Sequence, residues 1–322
     1  MKPAPRGIAI VGPTTSGKTA TALEVARRLD GEIISVDSRQ IYRGMEIGTD
    51  KVDASERAEV PHHGLDLRDP DATYSAGQFA RDARGWIAGI EACGSVPILA
   101  GGTGFFLRAL THPIFEEPPI DAEQQERLRR WLARHEPEEL TRWVERLDPA
   151  RASVAAEGGT QRLVRTVEIP LLTGRPLSWW HDRNPPEGSP IPLLVVHLDV
   201  SRDELDRRID ARVDRMLRDG LVEEVEALLA AGYTADAPGM TGTGYREIVR
   251  VIRGELPLDE ARDEIRAQTR RYARRQITWF RHQLPDDALV LTGDRPASDP
   301  DALDARVEVI LGEWYTRRSG KR

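Results

Sequence analysis

The chain has 322 residues, of which 31% are charged and 39% hydrophobic, and its formal net charge is -7. That mixture belongs to an ordinary globular protein with a sizeable core and excludes disordered and fibrous classes. No apolar run is long enough to span a bilayer, and the single cysteine, Cys93, excludes an internal disulfide and a four-cysteine zinc site.

The start, Met1 to Arg6, is short and polar and leads straight into a strand pattern at residues 8–11. That apolar run is too brief for a signal-peptide core, so a reducing cytoplasmic home is expected. After it comes Gly12-Pro13-Thr14-Thr15-Ser16-Gly17-Lys18-Thr19, which matches the phosphate-loop pattern G-x-x-x-x-G-K-[ST]. The setting is the required one, with a strand before and a helical pattern at residues 19–29 after. Backbone N–H groups of such a loop converge on one anion, and the helix amino end favours negative charge. Lys18 neutralises phosphate oxygens, and the Thr19 hydroxyl can join the shell of a Mg²⁺ ion. Lysine is rare here, at positions 2, 18, 51 and 321 only, so a compact ammonium at Lys18 is informative among so many arginines. The loop alone does not say whether its anion belongs to ATP or to another diphosphate.

A second strand, residues 32–36, ends at Asp37. At the carboxyl end of a parallel sheet this carboxylate can hold magnesium through water, accept a proton from a nucleophile, or merely cap the following turn. A third strand, residues 96–100, follows the helical pattern at 77–91 and runs into Gly101-Gly102-Thr103-Gly104. There the glycines permit close backbone approach and Thr103 offers a hydroxyl. Three strand ends are therefore expected to converge.

The alternation of strand and helix breaks between about Glu116 and Pro192. Prolines 118 and 119 open the stretch and prolines 185, 186, 190 and 192 close it. Inside, Leu128, Trp131 and Leu132 share one helical face, and Leu140, Trp143, Val144 and Leu147 another, with Pro137 suited to a first turn. Strand patterns resume at 193–198 and 288–291, with helices at about 202–219, 221–231 and 258–284. The expected fold is α/β: a P-loop NTPase-like parallel sheet with helices on both faces and an inserted all-helical subdomain. Residues 1–115 and 192–322 form the core, and 116–191 the insertion.

Weaker features have competing readings. Arg266, Arg270 and Arg274 share a face of the last long helix and read either as a phosphate-binding stripe or as a solvated face paired with acidic neighbours. Trp279 and Phe280 continue an apolar stripe and read as core, whereas Trp179 and Trp180 suit either packing or stacking. His62 and His63 lack the spacing of metal ligands. Asp199, at the end of the fourth strand, ranks below Asp37 as an acidic terminus because it also suits a helix cap.

Nearly the whole chain resembles the tRNA dimethylallyltransferases (tRNA isopentenyltransferases). The resemblance runs through Gly12–Thr19, the Asp37-Ser38-Arg39-Gln40-Ile41-Tyr42 segment, Gly101–Gly104, Gln161-Arg162 with Arg165, Arg208 with Arg212, and Gly244-Tyr245. It ends with Arg275-Gln276-Ile277-Thr278-Trp279-Phe280-Arg281. It implies transfer of a dimethylallyl group from dimethylallyl diphosphate to N6 of the tRNA adenine next to the anticodon, with the phosphate loop (Gly12, Pro13, Thr14, Thr15, Ser16, Gly17, Lys18 and Thr19) holding that diphosphate rather than ATP. It further implies Asp37 as the base and Lys18, Thr19 with Mg²⁺, and Arg212 as stabilisers of the leaving diphosphate. Thr103 would lie near the adenine, and Ser38, Arg39, Gln40, Gln125, Gln161, Arg162, Leu163, Val164 and Arg165 would contact tRNA. No membrane and no obligate protein partner are implied, and a monomer is expected. Four departures from the family pattern stand out: Arg39 where Met is frequent, Gly158-Gly159-Thr160 before Gln161, Phe105-Phe106 after the glycine run, and Gln125 where an arginine is usual. The rival readings are an adenylate isopentenyltransferase, a P-loop small-molecule kinase, and a non-catalytic RNA-binding module.

Overall fold

The computed structural model describes residues 3–113, 118, 120–184 and 188–320. The sequence features at Glu116, Pro119, Pro185 and Pro186 lie outside them. The chain begins β1 (Gly7–Val11), α1 (Lys18–Leu29), β2 (Gly31–Ser35), α2 (Ala54–Glu59), β3 (His62–His63), α3 (Ala76–Ala92), β4 (Val96–Gly101) and α4 (Gly104–Thr111). Five helices follow: α5 (Ala122–Leu132), α6 (Pro137–Leu147), α7 (Ala152–Glu157), α8 (Thr160–Thr173) and α9 (Leu177–Arg183). The order closes with β5 (Leu193–Asp199), α10 (Arg202–Arg218), α11 (Leu221–Ala230), α12 (Tyr245–Ile252), α13 (Leu258–Gln283), β6 (Leu289–Thr292) and α14 (Pro300–Ser319). Two compact units result, one of Met1–His112 with Pro190–Arg322 and one of Pro113–Ser189.

In the first unit six parallel strands run in the order β3-β2-β4-β1-β5-β6. Alternate side chains of each strand serve opposite faces, as the period of two demands. Ala9 and Val11 join Leu99, Phe79, Ile87 and Phe106 on the α3–α4 side, while Ile8 and Ile10 join Ala22, Val25, Ile98 and Trp314 on the α1–α14 side. Strands buried on both faces need nearly continuous apolar runs, which is why β1, β4 and β5 stand out in the sequence. One edge does not stand out, while the other, β6, lies within a residue of the strand pattern at 288–291. β3 is two half-buried histidines pairing with Ile33 and Ile34, and β6 is only partly buried. A third cluster, from α10 to α13 with Ile41, Tyr42 and Met45, makes a helical layer.

Local signals explain several boundaries. Ser75 accepts from the Gln78 amide while Gln78 reaches back, a reciprocal cap that starts α3, and Asp53 with Glu56 does the same for α2. Ser201, not Asp199, occupies the cap position of α10, so the cap reading of Asp199 fails. The second unit is helical, with Leu132, Leu140, Val144, Ala155, Leu163 and Val167 as its core. Pro137 opens α6, as its fixed φ favours. Trp131 stacks on Trp143 but remains 46% exposed.

The carboxyl ends of β2 and β4 are pressed together. Val36 N donates to Ala100 O at 2.8 Å, and a Cβ on Gly101 would lie 2.1 Å from Val36 O. No side chain fits there. Gly101→Ala is expected to lower stability by about 1–3 kcal/mol through backbone displacement. Urea unfolding measures this, and an unchanged midpoint would contradict it.

Candidate functional site

Three neighbouring strands deliver the site. β1 ends in the phosphate loop, β4 in Gly102-Thr103, and β2 in Asp37, all at the carboxyl edge where parallel sheets bind ligands. Gly17 takes φ 86° just before α1, a conformation that costs glycine little, and so turns the loop into the helix. The three strand ends border one cavity of about 360 Å³, lined by Thr14, Lys18, Thr19, Asp37, Thr49, Asp50, Gly101, Arg212, Tyr245, Tyr272 and Gln276 among others; Thr103 lies behind Tyr272 and is not part of the lining.

The loop is held from two sides. From α13, Gln276 Oε1 accepts from Thr14 N at 2.9 Å and its Nε2 donates to Gly102 O at 2.9 Å, so one buried amide ties the loop to the β4 terminus. From α10, Arg212 Nη1 donates to Thr14 Oγ1 at 2.7 Å, and Arg208 reaches Thr15 O at 3.3 Å while also holding the carbonyls of Gly293 and Asp294. Arg212 is thus a member of the anion cradle, 3.4 Å from Asp50, which Arg215 meets at 3.0 Å.

Lys18 Nζ donates to Pro13 O at 3.2 Å and has no carboxylate in contact. Burial drives its pKa down from 10.5 to about 8; Asp37 and Asp50 oppose that shift, and Arg212 adds to it. Burial pushes the Asp50 carboxyl upward, but Arg212, Arg215 and Lys18 together outweigh it and hold it below the usual range. The cavity therefore concentrates positive charge with little compensation, the condition of a site built for an anion.

At the end of β2, Asp37 Oδ1 accepts from Arg39 N at 2.8 Å. The turn-cap reading is realised, and the same carboxylate lines the cavity. Thr103 Oγ1 accepts from Ser38 N at 3.0 Å, and the Tyr272 hydroxyl meets Thr103. Burial and the charge of Asp37 raise the Tyr272 pKa, so the phenol keeps its proton.

The remaining residues expected at the RNA divide differently. Arg39 Nη1 is held by Pro238 O at 2.7 Å. Gln40 accepts from Ser35 Oγ and donates to the carbonyls of Thr49 and Asp50, so it braces the wall. In the second unit, Gln161 and Arg162 are exposed. Leu163 is 3% exposed in the helical core, which corrects its reading as a contact residue. Gln125, Arg129 and Arg165 converge on Glu168, a carboxylate with no exposed surface.

The arginine stripe is also corrected in part. Arg266 is held by Asp214 at 2.5 Å and Asp263 at 3.1 Å, and Arg270 by Asp210 at 2.5 Å, so both zip α13 to α10. Arg271 and Arg274 stay exposed, and Arg275 lines the cavity. Phe280 is core, and Trp279 packs where a Cβ on Gly104 would lie 2.3 Å from its ring. Trp179 and Trp180 meet edge to face on α9, with Arg175 and Arg183 over the Trp179 ring. His63 bonds Glu32 and His62 bonds Val60 O, and no cluster of three or more metal-ligating side chains exists among the described residues. Thr19, Asp37 and Asp50 supply only hard oxygen donors to the cavity, and the buried Ser16 hydroxyl lacks a partner; that donor set suits Mg²⁺ shared with a phosphate ligand.

Gln276, Asp50, Tyr245 and Tyr272 received no site role from sequence. A glutamine among the apolar positions of α13 was the available signal, since a buried amide needs partners.

The IPP transferase family model matches residues 40–283 and the isopentenyl transferase model residues 6–63. A tRNA dimethylallyltransferase of Thermomicrobium roseum is 46% identical over 85% of this chain and 83% of the relative. One of Geobacter metallireducens is 44% identical over 96% and 98%. The full-length tRNA isopentenylpyrophosphate transferase of Bacillus halodurans aligns over 97% of both chains with 32% identity and a TM-score of 0.68. A eukaryotic dimethylallyltransferase acting on tRNA shares the fold at 24% identity and a TM-score of 0.80.

Because Lys18 is charged and unpaired at neutral pH, it costs the empty protein stability below about pH 8. The unfolded chain binds more protons than the folded one between that value and the ordinary lysine range, so stability attributable to this residue rises with pH there. Lys18→Met is expected to stabilise the ligand-free protein at pH 7 by roughly 1–2 kcal/mol and to abolish pyrophosphate binding. Thermal melts with and without pyrophosphate, at pH 7 and pH 10, test this; a destabilised variant at pH 7 would refute it.

Proposed function

We infer that this chain, which belongs to the IPP transferase family, is a tRNA dimethylallyltransferase. It transfers a dimethylallyl group from dimethylallyl diphosphate to N6 of the adenine adjacent to the anticodon, giving N6-dimethylallyladenosine and diphosphate. One observation carries the reading: the anion cradle of Lys18, Arg212 and Thr14 and the carboxylate of Asp37 face the same cavity.

The chemistry follows from that opposition. The N6 nitrogen attacks C1 of the allyl group, and the C1–O bond breaks with its electron pair leaving on the diphosphate. The departing charge grows as the bond stretches, so donors already aimed at the loop lower the barrier without reorganising. Lys18, Arg212 and the loop amides are those donors. Asp37 takes the proton that N6 loses, and its bond from Arg39 N holds the carboxylate in place. Thr103, set by Ser38 N and Tyr272, orients the base. Thr19 would hold Mg²⁺, which when bound supplies further neutralisation of the diphosphate. An adenine stacked in an anticodon loop cannot reach this depth, so it must be turned out. Exposed Gln161 and Arg162 are the members of the Gln161–Arg165 run best placed to touch RNA.

Incubation with labelled dimethylallyl diphosphate, Mg²⁺ and unmodified tRNA should label the tRNA without ATP, and nucleoside digestion should return N6-dimethylallyladenosine. Asp37→Asn should lower kcat by about 10²–10⁴-fold while leaving pyrophosphate binding intact. Label on free AMP instead of tRNA would displace the acceptor, and an ATP requirement would favour a kinase.

A further inference from the structure

We propose that Tyr245 is the floor of the prenyl pocket and sets the length of isoprenyl chain the enzyme accepts. The proposal rests on the transferase reading above.

The cavity lining divides by chemistry. Thr14, Lys18, Thr19, Asp50 and Arg212 supply one polar group and Asp37 and Tyr272 another; the apolar side chains of the lining are Ala100, Val213, Met216, Leu221, Ile265 and Tyr245, set among further polar ones that include Thr241, Arg246, Thr269 and Arg275. The diphosphate belongs on the cationic end, and C1 must lie between it and the amine that Asp37 serves. The branched hydrocarbon tail then finds its apolar cover at Val213, Met216, Leu221, Ile265 and Tyr245, where burial removes apolar surface from water.

Tyr245 is built as a fixed stop on that wall. It is 1% exposed and packs in the cluster formed by Val213, Met216, Leu221 and Ile265. Its hydroxyl donates to Glu224 Oε1 at 2.6 Å. The same carboxylate accepts from the amides of Glu46, Ile47 and Gly48 at 2.8, 2.7 and 3.0 Å. A Cβ on Gly48 would lie 2.5 Å from the ring, so the ring lies flush against backbone that Glu224 itself holds. Ring, loop and carboxylate thus fix one another, and the ring has no adjacent space into which a longer tail could displace it.

The experiment compares kcat/KM for dimethylallyl and geranyl diphosphate, with tRNA as acceptor, in the full chain. Tyr245→Ala should raise the geranyl-to-dimethylallyl ratio roughly tenfold or more, the size expected when a pocket wall is withdrawn from one isoprene unit. Tyr245→Phe, which keeps the bulk and loses only the bond to Glu224, should leave the ratio within about twofold. A folded Tyr245→Ala that transfers dimethylallyl with the parental ratio overturns the proposal. Where circular dichroism shows that Tyr245→Ala does not fold, Leu221→Ala, whose side chain packs beside Gly244, carries the same expectation, and an unchanged ratio there overturns it equally. Failure of the parent chain to prenylate tRNA at all rejects the transferase reading instead.

Discussion

Everything in the site depends on one side-chain amide. Gln276 accepts from Thr14 N with its oxygen and donates to Gly102 O with its nitrogen. It joins the donor half of the cavity, the phosphate loop, to the acceptor half, the Gly102-Thr103 turn beside Asp37. Both partners are main-chain groups at strand ends and both are buried, so neither finds water if the amide is removed. The rest of α13 serves to bring this residue to its place. Phe280 and Trp279 anchor one end in the apolar face of the sheet, and the ion pairs of Arg266 and Arg270 with α10 anchor the middle. Since α10 also carries Arg212 and Arg208, the pairs that hold the two helices together also set the cationic side of the cradle.

The cradle is therefore stiff before substrate arrives, and stiffness matters more here than in a phosphoryl-transfer site. In the proposed reaction the diphosphate is a leaving group and not the group transferred. The barrier falls only as far as the donors already face the charge that develops when C1–O opens. The same preorganisation holds Arg212 near enough to Lys18 to add to the lowering of its pKa, with Asp50 as partial relief. Stability forgone at Lys18 is recovered on anion binding, which is the usual relation between a strained site and its ligand.

Much of this was legible from residues alone, for identifiable reasons. Strands buried on both faces advertise themselves as apolar runs, so β1, β2, β4 and β5 were expected within a residue or so, and the phosphate loop is a contiguous pattern. Asp37 and Thr103 were expected at the site because parallel topology brings strand ends together whatever lies between them. One edge, β6, was expected within a residue, whereas the other escaped: β3 is a pair of histidines with no apolar signal. So did residues whose role exists only through distant partners. Glu224 looks like any surface glutamate of α11 until the loop at 46–48 folds onto it, and the arginines of α13 look like a phosphate stripe until α10 supplies Asp210 and Asp214. Leu163 sits inside a polar run, and only the packing of the helical unit shows that its side chain is core.

The division of the cavity also explains why a phosphate loop suits alkyl transfer. A loop of backbone amides reads charge and little else, so it gives no discrimination among diphosphates by itself. Selectivity has to come from what surrounds the loop, and here the surroundings differ in kind. The helical layer of α10 to α13 presents Val213, Met216, Leu221, Ile265 and Tyr245 as an apolar patch beside polar Arg246, Thr269, Tyr272 and Arg275. A polar group placed against the apolar patch itself would lose its water without replacement, at a cost of roughly 1–3 kcal/mol for each unpaired group. A hydrocarbon tail gains instead. On the proposed reading the cationic residues attract any diphosphate and the apolar patch favours the allylic one, so the two parts of the lining perform separate tasks on opposite ends of one small molecule.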